Sequence, residues 1–184
     1  TRQLTDKPFG VDTVLPSTVP EGGAASELRS MISQDYWDFV RDFMQRHNLP
    51  LDELEKGQGM PWTADFFDKQ LEVVIENNVP VYAAGLGNPA KYLDALHAHG
   101  TKVIGVVGAV KHAVRDAGSG VDLLVAQGHD AGGHNSRIGT MALIPQVVDA
   151  VEGRVPIVAA GGIASGRQIV AALVLGAIGV WMGS

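Results

Sequence analysis

The sequence predicts an α/β fold of the (β/α)8 barrel type, in which parallel strands alternate with helices. The two clearest strands are apolar runs, Val79 to Gly85 and Val155 to Ala160, and such runs are typical of strands covered on both faces. Helical patterns separate the strands. The two runs also repeat each other, VPVYAAG against VPIVAAG, as expected if one βα unit recurs along the chain. A doubly wound sheet would show the same alternation, so both architectures stay open at this point.

The remaining elements follow in order along the chain. Ser33 and Thr63 stand at N-cap positions before amphipathic patterns, and Asn88 with Pro89 opens a further helix. Gly100 and Gly118 mark the ends of helical patterns. The sequence predicts strands at 9–14, 79–85, 102–107, 123–127, 155–160 and 179–182, and helices at 33–47, 63–78, 88–99, 110–117, around 145–151 and at 166–175.

Composition limits the classes of protein and partner. The chain has 184 residues, of which 46% are hydrophobic and 18% charged, and this suits one globular domain. A net charge of −6 without a cluster of Lys and Arg in the sequence makes nucleic acids and anionic membranes poor partners. No apolar run approaches the roughly 20 residues of a membrane helix. The absence of cysteine excludes a thiol nucleophile and fits a cytoplasmic protein.

Two consecutive strands end in glycines that expose the backbone. Gly161 and Gly162 follow one strand and precede a helix, and Gly183 and Ser184 follow the next strand. Glycine lets the backbone approach a ligand, and the free N–H groups of a helix N-terminus attract phosphate. Barrel phosphate sites are frequently built from the loops after strands seven and eight. We therefore expect a phosphate cradle, with a tight turn that binds nothing as the alternative. A dinucleotide fingerprint fits less well, because the acidic residue about 20 positions further on is missing.

The loop AQGHDAGGH carries the strongest acid–base candidates of the chain. His129, Asp130 and His134 lie within six residues of one another. Imidazole titrates near neutral pH, so it can take a proton from a carbon acid or hold a developing anion. Gly132 and Gly133 would let the chain turn and pass close to a flat ring. For either histidine, a role at the surface or as a helix cap is the alternative, and we expect no metal site.

These motifs together closely resemble the nitronate monooxygenase family, also called 2-nitropropane dioxygenases. The family's relatives include flavin-dependent enoyl-acyl-carrier-protein reductases and quinone reductases. The resemblance is strong over Val121 to Ser184 and looser over Val79 to Gly120, while PFGVD near the start resembles the third barrel strand. Residues 16–62 have no counterpart in it, so we expect a helical insertion there, within a single domain that spans 1–184. The insertion would pack against the barrel or contact a second copy of the chain in a homo-oligomer.

The resemblance implies an FMN-binding TIM barrel of which strands three to eight are present. Since six strands cannot close an eight-stranded barrel, we expect a fragment of a longer protein. The family usually has Asn in place of Asp12, and a carboxylate beside the flavin would disfavour its reduced, anionic form. The implied roles are a catalytic base or substrate-orienting residue for His134, flavin contacts for Asp12, Gln127, Gly132 and Gly133, and FMN phosphate contacts for Gly161, Gly162, Gly183 and Ser184.

The reaction implied by the resemblance is the oxidation of an alkyl nitronate by FMN and then dioxygen, giving a carbonyl compound and nitrite. The cofactor would do the redox chemistry, and the protein would orient the substrate and handle protons. Two alternatives stay open. One is a flavin-dependent NAD(P)H reductase of enoyl thioesters or quinones, and the other is a non-catalytic barrel fragment that binds phosphate or nucleotide.

Overall fold

A six-stranded parallel sheet forms the centre of the protein. The computed structural model describes residues 1, 3–16, 19, 25–51 and 62–183. The chain divides into two compact units, Thr1–Ser17 with Gln70–Ser184, and Thr18–Lys69, and the sheet belongs to the first. Its strands are β1 (Gly10–Val14), β2 (Val81–Gly85), β3 (Lys102–Val107), β4 (Leu123–Gln127), β5 (Ile157–Ala160) and β6 (Gly179–Trp181).

The strand order decides between the two architectures that the sequence left open. Each strand pairs in parallel with the next one along the chain, in the order β1-β2-β3-β4-β5-β6. A doubly wound sheet reverses its order at a switch point, and this sheet does not reverse. The prediction of a barrel-type α/β fold is therefore confirmed.

Helices connect the strands at nearly the predicted positions. Thr63 Oγ1 accepts a hydrogen bond from Phe66 N at 3.2 Å and Asn88 Oδ1 accepts one from Ala90 N at 2.8 Å, so both act as N-caps. A 3-10 helix (Pro89–Tyr92) precedes the fourth α-helix. The α-helices are α1 (Ala25–Ser30), α2 (Gln34–Arg46), α3 (Ala64–Glu76), α4 (Leu93–Ala98), α5 (Val110–Ser119), α6 (Thr140–Val151) and α7 (Gly166–Val174).

Two helix predictions need correction. Helix α1, over Ala25–Ser30, was not predicted from the sequence, which indicated its first helix at 33–47. Helix α6 begins at Thr140, five residues ahead of Pro145, around which we had placed it. The second unit, which carries α1 and α2, overlaps the insertion expected at 16–62. Residues 49–62 contain Pro50, Gly57, Gly59 and Pro61, which predict an irregular stretch, and they lie largely outside the described residues.

The sheet buries one face and leaves the other partly open. Successive side chains of a strand point to opposite faces, and the exposed fractions alternate accordingly. On the helix-covered face, Tyr82, Val103 and Leu124 are fully buried. On the opposite face, Val106 and Gln127 are only half-buried. Helix α6 completes the core on the covered side with four buried residues, Leu143, Ile144, Val147 and Val151.

Two further expectations concern membranes and metals. Within the described part of the chain, no helix has the length and apolarity that crossing a bilayer requires. The described residues also contain no group of three or more His, Asp or Glu side chains placed to hold a metal ion.

Candidate functional site

A cavity of about 790 Å³ opens at the carboxyl ends of the strands. This end of a parallel sheet is where ligands bind in barrel and open α/β folds. The volume lies within the roughly 300–1,000 Å³ of small-molecule and cofactor sites. Five strands contribute to the lining, through Asp12 and Val14 of β1, Gly85 of β2, Val106 and Val107 of β3, Val125 and Gln127 of β4, and Trp181 of β6.

The structure brings some of the predicted site residues together at this cavity and not others. Asp12, Gln127, Gly132 and His134 line it. Ser184 lies outside the described residues. The remaining predicted residues are not part of the lining, and these are Gly133, Gly161, Gly162 and Gly183.

The loop between β4 and α6 is held together by its own hydrogen bonds. Gln127 Nε2 donates to His134 O at 3.1 Å, which ties the loop back to the end of its strand. Asn135 Nδ2 donates to His129 O at 2.9 Å and to Ala131 O at 3.2 Å. The loop therefore has a defined shape before any ligand enters, which is the preorganisation that a binding site needs.

The two histidines of this loop have different surroundings. His129 Nδ1 lies 3.0 Å from Ser136 O, and since a carbonyl only accepts, this nitrogen donates the bond. The ring nitrogens of His134 have no hydrogen-bond partner among the described residues, and the side chain is exposed at the cavity. His129 is thus engaged in holding the loop, whereas His134 is free to meet a ligand.

Asp130 caps helix α6 although it lies ten residues before Thr140 in the chain. Its Oδ2 accepts a hydrogen bond from Thr140 N at 2.8 Å. The backbone N–H of Thr140, and then its hydroxyl, hold the pKa of the Asp130 carboxyl below its usual range. An anion at a helix N-terminus is also favoured by the helix dipole. Asp130 therefore stabilises the start of α6.

Three glycines allow the loops after β4 and β5 to pack against the start of α6. A Cβ at Gly128 would lie 2.3 Å from Thr140 Cα. At Gly161, where φ is +105°, a Cβ would lie 2.7 Å from Thr140 Oγ1, and at Gly162, where φ is +68°, one would lie 2.7 Å from Asp130 Cβ. Side chains at these positions would clash, so close packing alone requires Gly128, Gly161 and Gly162.

Gly132 and Gly133 are different, because open space lies beside them. Within the part of the chain that the structure describes, no atom comes within 4 Å of a Cβ built at either residue. Gly132 also lines the cavity. The bare backbone here leaves room for a flat group against the loop, which packing within the protein does not fill.

Asp12 of β1 introduces an exposed carboxyl group into the lining of the cavity. Burial raises the pKa of Asp12. On the other face of the sheet, Thr13 Oγ1 and Tyr82 Oη are hydrogen-bonded at 2.8 Å, and burial, as the largest cause, raises the pKa of Tyr82 to about 12.

Sequence reasoning missed the cationic side of the cavity. Lys111 and Arg115 of α5 line it, together with Arg137 from the loop that precedes α6. His112, which we expected simply on the surface of a helix, lines it as well. The sequence did offer one signal, a pair of cations four residues apart, Lys111 and Arg115, at the start of a helix that follows a strand.

Leu86 is a further residue that the sequence did not reveal. It follows β2 with a φ of +68° and lines the cavity. Nothing in the sequence distinguishes a leucine that adopts this left-handed conformation, which costs of order 1–3 kcal/mol outside glycine.

Comparison with known proteins identifies the family of this chain. The family model described as nitronate monooxygenase matches residues 1–184. The chain belongs to the nitronate monooxygenase family. A candidate monooxygenase of Mycobacterium tuberculosis is 41% identical to it over 97% of this chain and 50% of its own length. A Staphylococcus aureus protein named as a probable nitronate monooxygenase is 33% identical over 100% of this chain and 51% of its own length.

Solved structures agree with this assignment. FabK from Thermotoga maritima is 35% identical with a TM-score of 0.68, over 99% of this chain and 43% of that chain. A nitroalkane oxidase from Streptomyces ansochromogenes is 30% identical with a TM-score of 0.75, over 99% of this chain and 51% of that chain. The chain spans about half the length of the curated relatives it matches. The predicted family is confirmed, and with it, at the level of the family, the enzyme class and the flavin cofactor.

Proposed function

We propose that this member of the nitronate monooxygenase family provides the flavin site of an FMN-dependent oxidoreductase. It oxidises alkyl nitronates with dioxygen to carbonyl compounds and nitrite. The observation that carries the proposal is the unpartnered ring of His134 at a cavity that combines a bare glycine backbone with cationic side chains. The solved nitroalkane oxidase, similar over 99% of this chain, supports oxidation of nitro compounds as the general chemistry.

The residues present fit an FMN group. The open space beside Gly132 suits the flat isoalloxazine ring, with Gln127, Gly133 and Asp12 around it. The loops after β5 and β6 are assigned to the phosphate, through Gly161, Gly162, Gly183 and Ser184. Gln168 Nε2 donates to Gly162 O at 2.7 Å and Ala164 N donates to Gln168 Oε1 at 2.9 Å, so the loop after β5 is rigid. When bound, FMN supplies the redox chemistry.

His134 handles the proton of the substrate. A neutral nitroalkane must lose a proton from carbon before it becomes a nitronate, and an exposed imidazole can accept that proton near neutral pH. Gln127 positions His134 through the hydrogen bond to its carbonyl, so the ring is presented from a fixed backbone. Lys111, Arg115 and Arg137 favour the anionic nitronate over the neutral compound in the same cavity.

Replacement of His134 tests this assignment. We expect His134→Ala to lower kcat/KM for neutral nitroalkanes by about 10²–10⁴-fold, the usual contribution of general acid–base catalysis. Flavin absorbance of the purified variant should stay unchanged, because the flavin contacts are elsewhere. His99→Ala is the matched control, since His99 lies at the end of α4 and its Nδ1 meets Ala95 O. Unchanged turnover of neutral nitroalkanes by His134→Ala would remove this residue from the mechanism.

A second candidate function keeps the flavin and changes the electron donor. This candidate is an NAD(P)H reductase of enoyl thioesters or quinones, and the similarity to FabK from Thermotoga maritima, at 35% identity, is the observation that favours it. Anaerobic mixing distinguishes the two candidates. Rapid bleaching of the flavin by NAD(P)H would favour the reductase, and rapid bleaching by a nitronate would favour the oxidation that we propose.

The proposal extends to partners and location. We propose a nitronate or nitroalkane and dioxygen as the small-molecule partners, with no role for nucleic acid or membrane. A cytoplasmic protein that can form a homo-oligomer fits the composition. A non-catalytic barrel fragment that binds phosphate or nucleotide is the third candidate, and absence of FMN uptake would favour it.

A further inference from the structure

Three cations line the cavity of a protein that has a negative net charge. These are Lys111, Arg115 and Arg137, here called the cationic group, and among the described residues Asp12 is the one acidic residue of the lining. The whole chain carries a net charge of −6. Among the described residues, neither Lys111 nor Arg137 forms an ion pair, whereas Arg41, Arg46, Lys69 and Lys102 pair with aspartates. Lys111 and Arg137 are therefore left for something other than the protein's own carboxylates, and Arg115 is the one member of the group that has such a partner, Asp116.

The fold places the cationic group on adjoining elements. Lys111 and Arg115 are four residues apart in α5, so they lie on the same face of that helix. Ser136 Oγ donates to Gly108 O at 2.5 Å, and this bond ties the loop that carries Arg137 to the chain just before α5 begins. The three side chains consequently approach the cavity from one side.

This arrangement is unfavourable for helix α5 by itself. Like charges four residues apart repel each other on a helix. Lys111 stands in the first turn, where the helix dipole disfavours a cation. The first turn contains no acidic residue, and the N-cap residue, Ala109, makes no side-chain hydrogen bond. A bound anion would compensate all three defects at once, and local rules of this kind are typically broken at functional sites.

A buried carboxylate holds Arg115 in position. Asp116 is fully buried, and its Oδ1 accepts a hydrogen bond from Arg115 Nε at 2.7 Å. Its Oδ2 is buried without a hydrogen-bond partner in the described structure. Gly105 makes room for it, since a Cβ there would lie 3.2 Å from this oxygen. A buried carboxylate that is only half satisfied is costly to the fold, which is consistent with a role in orienting Arg115.

The charge of the cationic group indicates the kind of anion. Three cations less the carboxylate of Asp116 leave two positive charges on the group itself, while Asp12, the acidic residue of the lining, lies on β1 and not on the elements that carry the group. A phosphate monoester carries about −1.5 to −2 at pH 7, whereas a carboxylate carries only one charge. Burial first, and then Arg115 and Lys111, lower the pKa of His112, so this histidine is mainly neutral at pH 7 and adds little charge. A phosphate matches the group better than a carboxylate does.

We propose that Lys111, Arg115 and Arg137 form a phosphate subsite on the α5 side of the cavity, with Asp116 as the positioning residue of Arg115. The subsite is separate from the glycine loops after β5 and β6. The inference rests on the proposed function in that it concerns the same cavity, and it adds the chemical class of a group bound there. That phosphate belongs either to a phosphorylated substrate or donor, or to the flavin cofactor itself, and in the second case the subsite replaces the glycine loops as the site of the cofactor phosphate.

Titration calorimetry of the FMN-loaded protein tests the first source. Inorganic phosphate and phenyl phosphate serve as probes, with acetate for comparison. We expect both phosphates to bind more tightly than acetate and to bind about tenfold or more weakly to Arg115→Gln and Arg137→Gln, because each variant loses a charge-assisted hydrogen bond. Lys7→Gln, an exposed cation outside the cavity lining, is the matched control and should leave phosphate binding unchanged.

A double-mutant cycle tests the role of Asp116. We expect Asp116→Asn to weaken phosphate binding in the wild-type background and to have little further effect in Arg115→Gln, because Asp116 acts through Arg115. A merely structural role would give equal effects in both backgrounds. The thermal unfolding midpoint of each variant, measured alongside, shows whether the protein is folded.

The second source is tested on the flavin-free protein. If FMN binds more tightly than riboflavin, and Arg115→Gln abolishes that preference while the loaded protein takes up no phosphate, the subsite holds the phosphate of the cofactor. If acetate binds as well as phosphate, or if neither titration responds to Arg115 and Arg137, the proposal is wrong. If the FMN-loaded wild-type protein does not turn over nitronates but still binds phosphate, the proposed function is wrong and the proposed phosphate subsite still holds.

Discussion

Individual residues at the site divide into those that hold the loop and those that face a ligand. The sequence suggested His129, Asp130 and His134 as acid–base candidates and favoured His134 over His129, and the family resemblance assigned the role to His134. The structure distinguishes them by their hydrogen-bond partners, since His129 donates to Ser136 O and Asp130 accepts from Thr140 N. Such partners come from residues up to ten positions away, and a single sequence does not reveal them. Glycine could be recognised from sequence as a sign of close approach, but what approaches it could not.

Gly128 offers a direct test at this scale. We expect Gly128→Ala to destabilise the protein by at least about 1–3 kcal/mol, because the new methyl group would collide with the backbone of Thr140. The measurement is the free energy of unfolding in denaturant. Gly118→Ala, in α5 with no atom within 4 Å of the added Cβ, should instead stabilise the helix by about 0.5–1 kcal/mol. Equal effects at the two positions would show that the close packing at Gly128 is not a constraint.

Secondary-structure elements were predicted well where local signals decide them. Strands β3 and β4 have the predicted bounds, 102–107 and 123–127. Strands β2 and β5 begin two residues later than predicted, because Pro80 and Pro156 supply no N–H to a strand ladder and contribute only their carbonyls, to Lys102 N and Leu124 N. The start of α6 could not be predicted, because its capping carboxylate, Asp130, lies ten residues upstream of Thr140 in the chain.

The cap of α6 makes stability depend on pH. The pKa of Asp130 is lowered in the folded protein, so its contribution is fully present above the unfolded value of about 3.9 and is lost as pH falls through the lower folded value. We expect Asp130→Ala to be less stable than the wild type at pH 6. The difference should shrink as pH falls below about 4. Chemical unfolding of both proteins between pH 2 and 6 measures this, and a difference independent of pH would contradict the role of the ionised cap.

At the scale of the whole molecule, strand order positions the chemistry. Because β1 to β6 run in one direction and in chain order, their carboxyl ends meet at one edge, where the cavity lies. The sequence predicted four of the lining residues, Asp12, Gln127, Gly132 and His134. It did not predict the cationic group, since Arg137 joins Lys111 and Arg115 only when the bond between Ser136 and Gly108 closes the loop. Contacts that depend on tertiary closure leave no local pattern in a sequence.

The central claim is that this chain builds a flavin site, and titration of the purified, flavin-free chain with FMN tests it most directly. We expect saturable uptake of one FMN per chain, seen as quenching of flavin fluorescence during the titration and as a yellow protein after gel filtration. Gly132→Val should weaken FMN uptake, because the valine side chain would fill the open space beside residue 132 where we place the isoalloxazine ring. Elution of a colourless protein, with all of the FMN left free, would contradict the claim that this chain builds a flavin site.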